Sequence, residues 1–258
     1  MFYLIGTGLK PKHISLEALE AIKKCDKVYM ESYTSGFSES NIEELEKLIG
    51  KKIILLTRSE VEGQKAIKII EDSKKKDIAL LVIGNPLSAT THVQLLIEAK
   101  KQNAKTKVIA GISIFNFIGK TGLSEYRFGR VASIVFHSKV YRPESFYDII
   151  AENKKACMHT LCLLDIIEMK NRIRMMNVKE AIEILEKIEA KRKTKVIKNS
   201  LLCAVSKAGS KKERIVFGRA AKLKRAKIES PACLIVCAEL NEKEKEAIGV
   251  LHGYKGRA

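Results

Sequence analysis

No apolar run in this 258-residue chain exceeds the seven residues from Ala232 to Ala238. A membrane-spanning helix needs roughly 20. The first residues, Met1-Phe-Tyr-Leu-Ile5, carry no basic flank and no cleavage signature, so they read as a first strand and the expected location is cytoplasmic. Cysteine is sparse: Cys25, Cys157, Cys162, Cys203, Cys233 and Cys237 include no pair at the two-residue spacing of a zinc knuckle. Cys233 and Cys237 share one apolar run, where four residues of strand rise separate them by roughly 13 Å, too far to share a metal. The thiols therefore read as buried and reduced, and no metal is expected. Long Pro/Gly linkers are absent as well, which predicts domains packed closely rather than tethered.

Acid is scarce relative to base: 48 Lys and Arg against 30 Asp and Glu give a net charge of +18. The surplus is local. Between Lys191 and Lys227 stand fourteen Lys or Arg and one acid, Glu213. Such a stripe is either a solvated face or a surface for RNA or another acidic partner. Aromatic residues are not interleaved along it as a single-strand binder would want. With 46% hydrophobic and 30% charged residues the chain is globular, and its length exceeds one usual core, so two domains are expected.

The run Ile78-Ala-Leu-Leu-Val-Ile83 has no polar alternation and reads as a strand buried on both faces of a parallel sheet. Gly84-Asn-Pro breaks it. Ser and Thr residues follow as candidate caps for a helix from His92 to Ala99. A buried parallel strand opening into a helix is where open α/β sheets bind small molecules, although the pattern alone also fits an ordinary turn. Phe2 to Ile5 ends in Gly6-Thr-Gly8, two glycines that permit close backbone approach. The third glycine of a dinucleotide fingerprint is missing. Lys27 to Glu31, Ile53 to Leu56 and Lys107 to Ala110 read as further strands. The intervening helices carry Ser15 as cap with a Leu16, Leu19, Ile22 stripe, and a Ser40-Asn-Ile-Glu43 capping box closed by Gly50. Strands alternating with helices predict a parallel amino-terminal sheet with helices on both faces.

The second half is richer in strands. Val131 to Phe136, His159 to Asp165, Leu201 to Ser206, Arg214 to Phe217 and Ala232 to Ala238 are strand-like. Pro143 to Ala156, Val178 to Lys193 and Asn241 to Leu251 are helical. A mixed-sheet α/β carboxyl-terminal domain is expected, with domains at 1–112 and 113–258.

Several segments together resemble the diphthine synthase family of the tetrapyrrole-methylase-like methyltransferases. They are Ile5-Gly-Thr-Gly-Leu9, Glu31-Ser-Tyr-Thr-Ser35, Gly84-Asn-Pro-Leu-Ser-Ala-Thr-Thr-His92, Tyr126-Arg-Phe-Gly129, His159-Thr-Leu-Cys-Leu-Leu-Asp165 and Ala208-Gly-Ser210. The resemblance implies a two-domain tetrapyrrole methylase-like fold and a homodimer, with S-adenosylmethionine between the domains. The implied substrate is translation elongation factor 2, methylated on the amino group of a 3-amino-3-carboxypropyl-histidine. The cofactor contacts it implies are Leu9, Asn85, Ser88, Ser113, Ile114, Leu164, Ala208 and Ala232. Position 85 usually carries Asp in this family and carries Asn here, which keeps an acceptor and loses a charge.

No residue is named as catalytic: His92 reads as a cap or packing residue, and Asp165 as an anchor for a neighbouring loop. Direct nucleic-acid binding is not expected, although Lys191–Lys227 leaves it open. At this stage a ribosomal RNA or tetrapyrrole methyltransferase of the same fold, or a non-catalytic RNA- or translation-associated protein, also fits.

Overall fold

A computed structural model describes residues 1–31, 33, 35–169 and 172–255 of the chain. It comprises two compact units, Met1–Asn116 with Glu168–Ile173, and Phe117–Ile167 with the chain from Arg174 onward.

The first unit runs β1 (Phe2–Gly6), α1 (Leu16–Lys24), β2 (Lys27–Glu31), α2 (Ile42–Ile49), β3 (Ile54–Leu56), α3 (Arg58–Val61), α4 (Gln64–Asp72), β4 (Ile78–Val82), α5 (Val93–Lys101) and β5 (Thr106–Ile109). Its five strands are all parallel, in the order β3-β2-β4-β1-β5. β4 lies at the centre and is buried along its whole length, as its unbroken apolar run requires. Its side chains alternate between two cores. Ile78, Leu80 and Val82 pack with α4 and α5, while Ala79 and Leu81 pack with α1 and α2.

Ser15 caps α1 as expected, accepting from the Ala18 amide at 3.1 Å, and Gly50 closes α2 in a left-handed conformation at φ 69°. Two helix readings need correction. Asn41, not Ser40, caps α2, accepting from the Glu44 amide at 3.1 Å. Leu16 is exposed, and Ala18, Ala21 and Ile22 form the buried stripe of α1, because small residues fit helix against sheet.

The second unit contains β6 (Ala132–Ile134), α6 (Ser145–Lys155), β7 (Thr160–Leu164), α7 (Val178–Arg192), β10 (Leu202–Ser206), β11 (Arg214–Gly218), α8 (Ala220–Arg225), β12 (Ala232–Val236) and α9 (Glu242–His252); β8 (Ile166–Met169) and β9 (Arg172–Met175) form a separate pair. The sheet order is β11-β10-β12-β7-β6, antiparallel except for β6 with β7, so the mixed sheet is present. The β8–β9 pair and α8 are not anticipated from the sequence. α8 is a six-residue basic helix whose one buried side chain, Leu223, leaves almost no apolar period to read.

A buried polar cluster ties α9 to this unit. His159 Nδ1 accepts from the Ala238 amide at 3.0 Å, so Nε2 carries the proton that it donates to Glu244 Oε1 at 3.0 Å. Glu244 also accepts from the Ser124 and Asn241 amides and pairs with Arg127. Burial pushes the Glu244 carboxyl up, but His159 and the two amides outweigh it and hold it below the usual carboxylate range. Burial pulls His159 down, so its imidazole is neutral. Of the cysteines, only Cys157 is exposed. Among the described residues no helix is long and apolar enough to cross a membrane, and no group of three metal-ligating side chains comes together.

Candidate functional site

In the first sheet the chain leaves β1 towards β2, on the far side of β4, and leaves β4 towards β5, on the far side of β1. The two adjacent strands thus send their connections opposite ways and onto opposite faces. A crevice forms at the carboxyl ends of strands that diverge in this way. Here the two loops are stitched together: the Gly8 amide donates to Gly84 O at 3.3 Å, and the Gly84 amide to Gly8 O at 3.0 Å. Thr7, fully buried, donates from Oγ1 to Val82 O at 3.2 Å and fixes the loop root.

The close approach depends on glycine. A Cβ on Gly6 would lie 2.5 Å from Gly84 O and 2.5 Å from Gly111 N, all main-chain atoms that cannot swing aside. Gly84 has φ +88°, a region that side chains disfavour. A Cβ there would stand at ordinary van der Waals distance from Ser113 Cβ, at 3.9 Å, and Leu9 Cδ2, at 4.0 Å. Leu9, Gly84 and Ser113, from the ends of β1, β4 and β5, therefore converge on one small space.

The sequence-derived residues of this unit lie in the loops that follow β1, β4 and β5. The Leu9 carbonyl accepts from both the amide and hydroxyl of Ser38 at 2.9 Å, which anchors the loop. Asn85 Oδ1 accepts from the Leu87 amide at 3.0 Å and the Asn85 carbonyl from the Ser88 amide at 3.2 Å, so Asn85 and Ser88 form one turn. Ser113 is buried, and its amide donates to Asn116 Oδ1 at 2.9 Å across the single helical turn Ile114–Asn116.

His92 does not cap α5 with its side chain. It is buried beside the turn, with Nδ1 3.1 Å from Pro86 O. Thr90 Oγ1 donates to the same carbonyl at 2.5 Å and accepts from the His92 amide at 3.4 Å, while the N-cap position itself is held by His92 rather than by the Ser or Thr expected. Sequence reasoning did not single out two buried polar atoms in this unit, His92 Nε2 and Tyr33 Oη, which have no hydrogen-bond partner among the described residues. Nor did it foresee that Gly111 stands against Gly6, since nothing local in Gly111-Ile-Ser-Ile reveals which strand end it meets. Ser32 and Thr34, in the family-like segment after Glu31, lie outside the described residues.

Leu164, Ala208 and Ala232 belong to the second unit, and there too they gather at one place. Ser206 pairs with Ala232, and Leu163 pairs with Cys233, which sets the end of β7, the start of β12 and the end of β10 side by side. The Lys207 amide donates to Pro231 O at 2.9 Å and brings Ala208 to the same rim. Asp165, one residue beyond Leu164, accepts from the Phe136 amide through Oδ2 at 2.9 Å, the anchoring role expected for it. Beside this rim a recess of about 300 Å³ is lined by four cations, Lys211, Lys212, Arg214 and Lys227, and by two carboxylates, Glu213 and Glu229. Glu213, the one acid of the basic stretch, is occupied by Lys120 and the Gly209 amide.

Main-chain edges, small residues and apolar side chains predominate at both rims.

The family model of tetrapyrrole (corrin/porphyrin) methylases matches residues 1–224. The chain is 40% identical over 254 residues to the diphthine synthase of Methanococcus aeolicus, covering 97% of this chain and 98% of that protein. It is 38% identical over 269 residues to a probable diphthine methyl ester synthase of Arabidopsis thaliana, covering 96% and 97%. A crystal structure from Entamoeba histolytica, provisionally assigned as a diphthine synthase, superimposes with a TM-score of 0.88 at 34% identity, covering 97% of this chain and 98% of that one.

Proposed function

Since the chain belongs to the tetrapyrrole methylase family, in its diphthine synthase branch, we propose that it methylates the amino group of a 3-amino-3-carboxypropyl-histidine on translation elongation factor 2. The activity itself is an S-adenosylmethionine-dependent methyl transfer in diphthamide biosynthesis. The observation that carries the site assignment is the convergence of Leu9, Gly84 and Ser113 at the strand switch point.

The cofactor supplies an electrophilic methyl group on a sulfonium. In our reading Leu9, Asn85, Ser88, Ser113 and Ile114 hold it on the first unit, and Leu164, Ala208 and Ala232 hold it on the second. Small and apolar contacts of this kind bind by shape, exclude water and orient the reacting groups, which supplies much of the rate of an in-line displacement. No side chain is assigned as general base. The neutral form of the amine is the nucleophile, and solvent accepts its proton.

The basic recess at Lys211, Lys212 and Arg214 is lined also by Ser206, at the end of β10, and we assign it to docking of the elongation factor. Reversing Lys212 and Arg214 to Glu should lower methylation of the whole factor and leave cofactor binding unchanged. We further read the enzyme as a cytoplasmic homodimer, which sedimentation equilibrium would test.

Mass spectrometry of elongation factor 2 bearing the modified histidine, incubated with this protein and S-adenosylmethionine, tests the reading. A gain of three methyl groups on that residue is expected, and a fourth would mark the carboxylate as a second acceptor. No gain while calorimetry shows cofactor binding would overturn the substrate and return the ribosomal RNA alternative.

A further inference from the structure

The basic stretch Lys191–Lys227 is not one surface. β10 and β11 separate its two ends, and five residues of strand rise place the end at Asn199, Ser200 and Arg219 about 16 Å from the end at Ala208 and Lys212. At the far end lies a cavity of about 700 Å³, within the range of ligand sites. Leu201, Cys237, Ala238, Leu240 and Ile248 form an apolar floor; Lys154, Arg219, Lys245 and Tyr254 stand around it.

Two of these cations, Lys154 and Arg219, bond uncharged groups. Lys154 Nζ donates to Val196 O at 3.1 Å and to the Ser200 hydroxyl, both uncharged. Burial and then Arg219 push its pKa down, and the nearby Glu189 carboxylate offsets this only in part. Arg219 reaches only the Lys198 carbonyl, at 3.5 Å. Neither Lys154 nor Arg219 pairs with a carboxylate among the described residues. Lys245 bonds Glu242 at 2.7 Å, and Glu239 is the one carboxylate residue in the lining.

The missing aromatic interleaving is supplied in three dimensions. The chain after α9 returns Tyr254 to β11, with its ring 6.1 Å from Phe217, and His252 lies 5.6 Å from the same ring. Lys222 Nζ stands 5.9 Å from the Tyr254 centroid. Two cations without a carboxylate partner among the described residues, beside a half-exposed aromatic ring and an apolar floor, match a phosphate joined to a base. An acidic peptide would need the charges alone.

We propose that this cavity binds single-stranded RNA, with backbone phosphates on Lys154, Arg219 and Lys245 and a base against Tyr254. The inference is independent of the methyl-transfer reading, since none of these residues is assigned to the cofactor.

Fluorescence anisotropy with a labelled 12-nucleotide poly(U) RNA tests it. Saturable binding is expected at 50 mM salt, weakening as salt rises with a log–log slope of about −2 for three phosphates. Arg219→Glu should weaken binding roughly tenfold or more and flatten the slope by about 0.7. Tyr254→Ala should weaken it at least about fivefold through lost stacking, with Tm unchanged in both variants. Lys23→Glu, the same charge change on the first unit, should have far less effect. The proposal is overturned by absence of saturable binding, by equal losses in Arg219→Glu and Lys23→Glu, or by wild-type affinity in Tyr254→Ala. An oligoglutamate peptide binding as tightly as the RNA would overturn it in favour of an acidic protein segment.

Discussion

Gly6→Ala tests whether the site is built by backbone approach. The new methyl would stand 2.5 Å from Gly84 O, 2.5 Å from Gly111 N and 2.7 Å from Gly111 Cα. Carbon contacts are optimal near about 3.5–4.0 Å, so the ends of β4 and β5 must each retreat from β1 by on the order of 1 Å. Overpacking of this kind costs about 1–3 kcal/mol. For a chain of this size that corresponds to a Tm lower by roughly 2–12 °C. The displacement falls on Gly84 and Gly111, which place Leu9, Asn85 and Ser113, so the Kd for S-adenosylmethionine should rise about tenfold or more, equivalent to roughly 1.4 kcal/mol. Gly249→Ala is the matched control. It lies inside α9 with its nearest neighbour, Tyr254 O, at 3.8 Å, and should stabilise by about 0.5–1 kcal/mol with unchanged cofactor affinity. Circular dichroism melts and titration calorimetry read both quantities. A Gly6→Ala protein with the parental Tm and the parental Kd would refute the reasoning.

Three further outcomes follow from named groups. Asn85→Asp keeps the acceptor that the Leu87 amide uses and restores a negative charge, so S-adenosylmethionine should bind more tightly by calorimetry, most clearly at low salt. Glu244 and His159 both have folded pKa values below their ordinary ones, so each contributes stability that is complete above its unfolded pKa and lost on acidification. Denaturation midpoints should fall as pH drops below about 6.5 and again below about 4.5, and Glu244→Gln should flatten the lower limb while lowering stability at pH 7. Of the six cysteines only Cys157 should react quickly with a disulfide reagent in the native protein, because burial pushes Cys25 up to about 11 and Cys233 up to about 12.

Much of the molecule was written in local pattern. The unbroken run Ile78–Val82 fixed a strand buried on both faces, because no polar residue in it could face water. Ser15 and Gly50 marked helix ends through backbone bonding needs met within a few residues. The family-like segments include the loops that follow β1, β4, β7 and β10. Other features depend on contacts between residues far apart in the chain, which local periodicity cannot encode. Strand order was one: only the sheet showed β1 beside both β4 and β5, with Gly6 against Gly84 and Gly111. The division of the basic stretch was another, since charge counted along the chain does not reveal that a strand carries its two halves to opposite ends of a sheet. The third was the return of Tyr254 and His252 to Phe217, which sets aromatic rings beside a basic cavity although the sequence separates them by more than thirty residues.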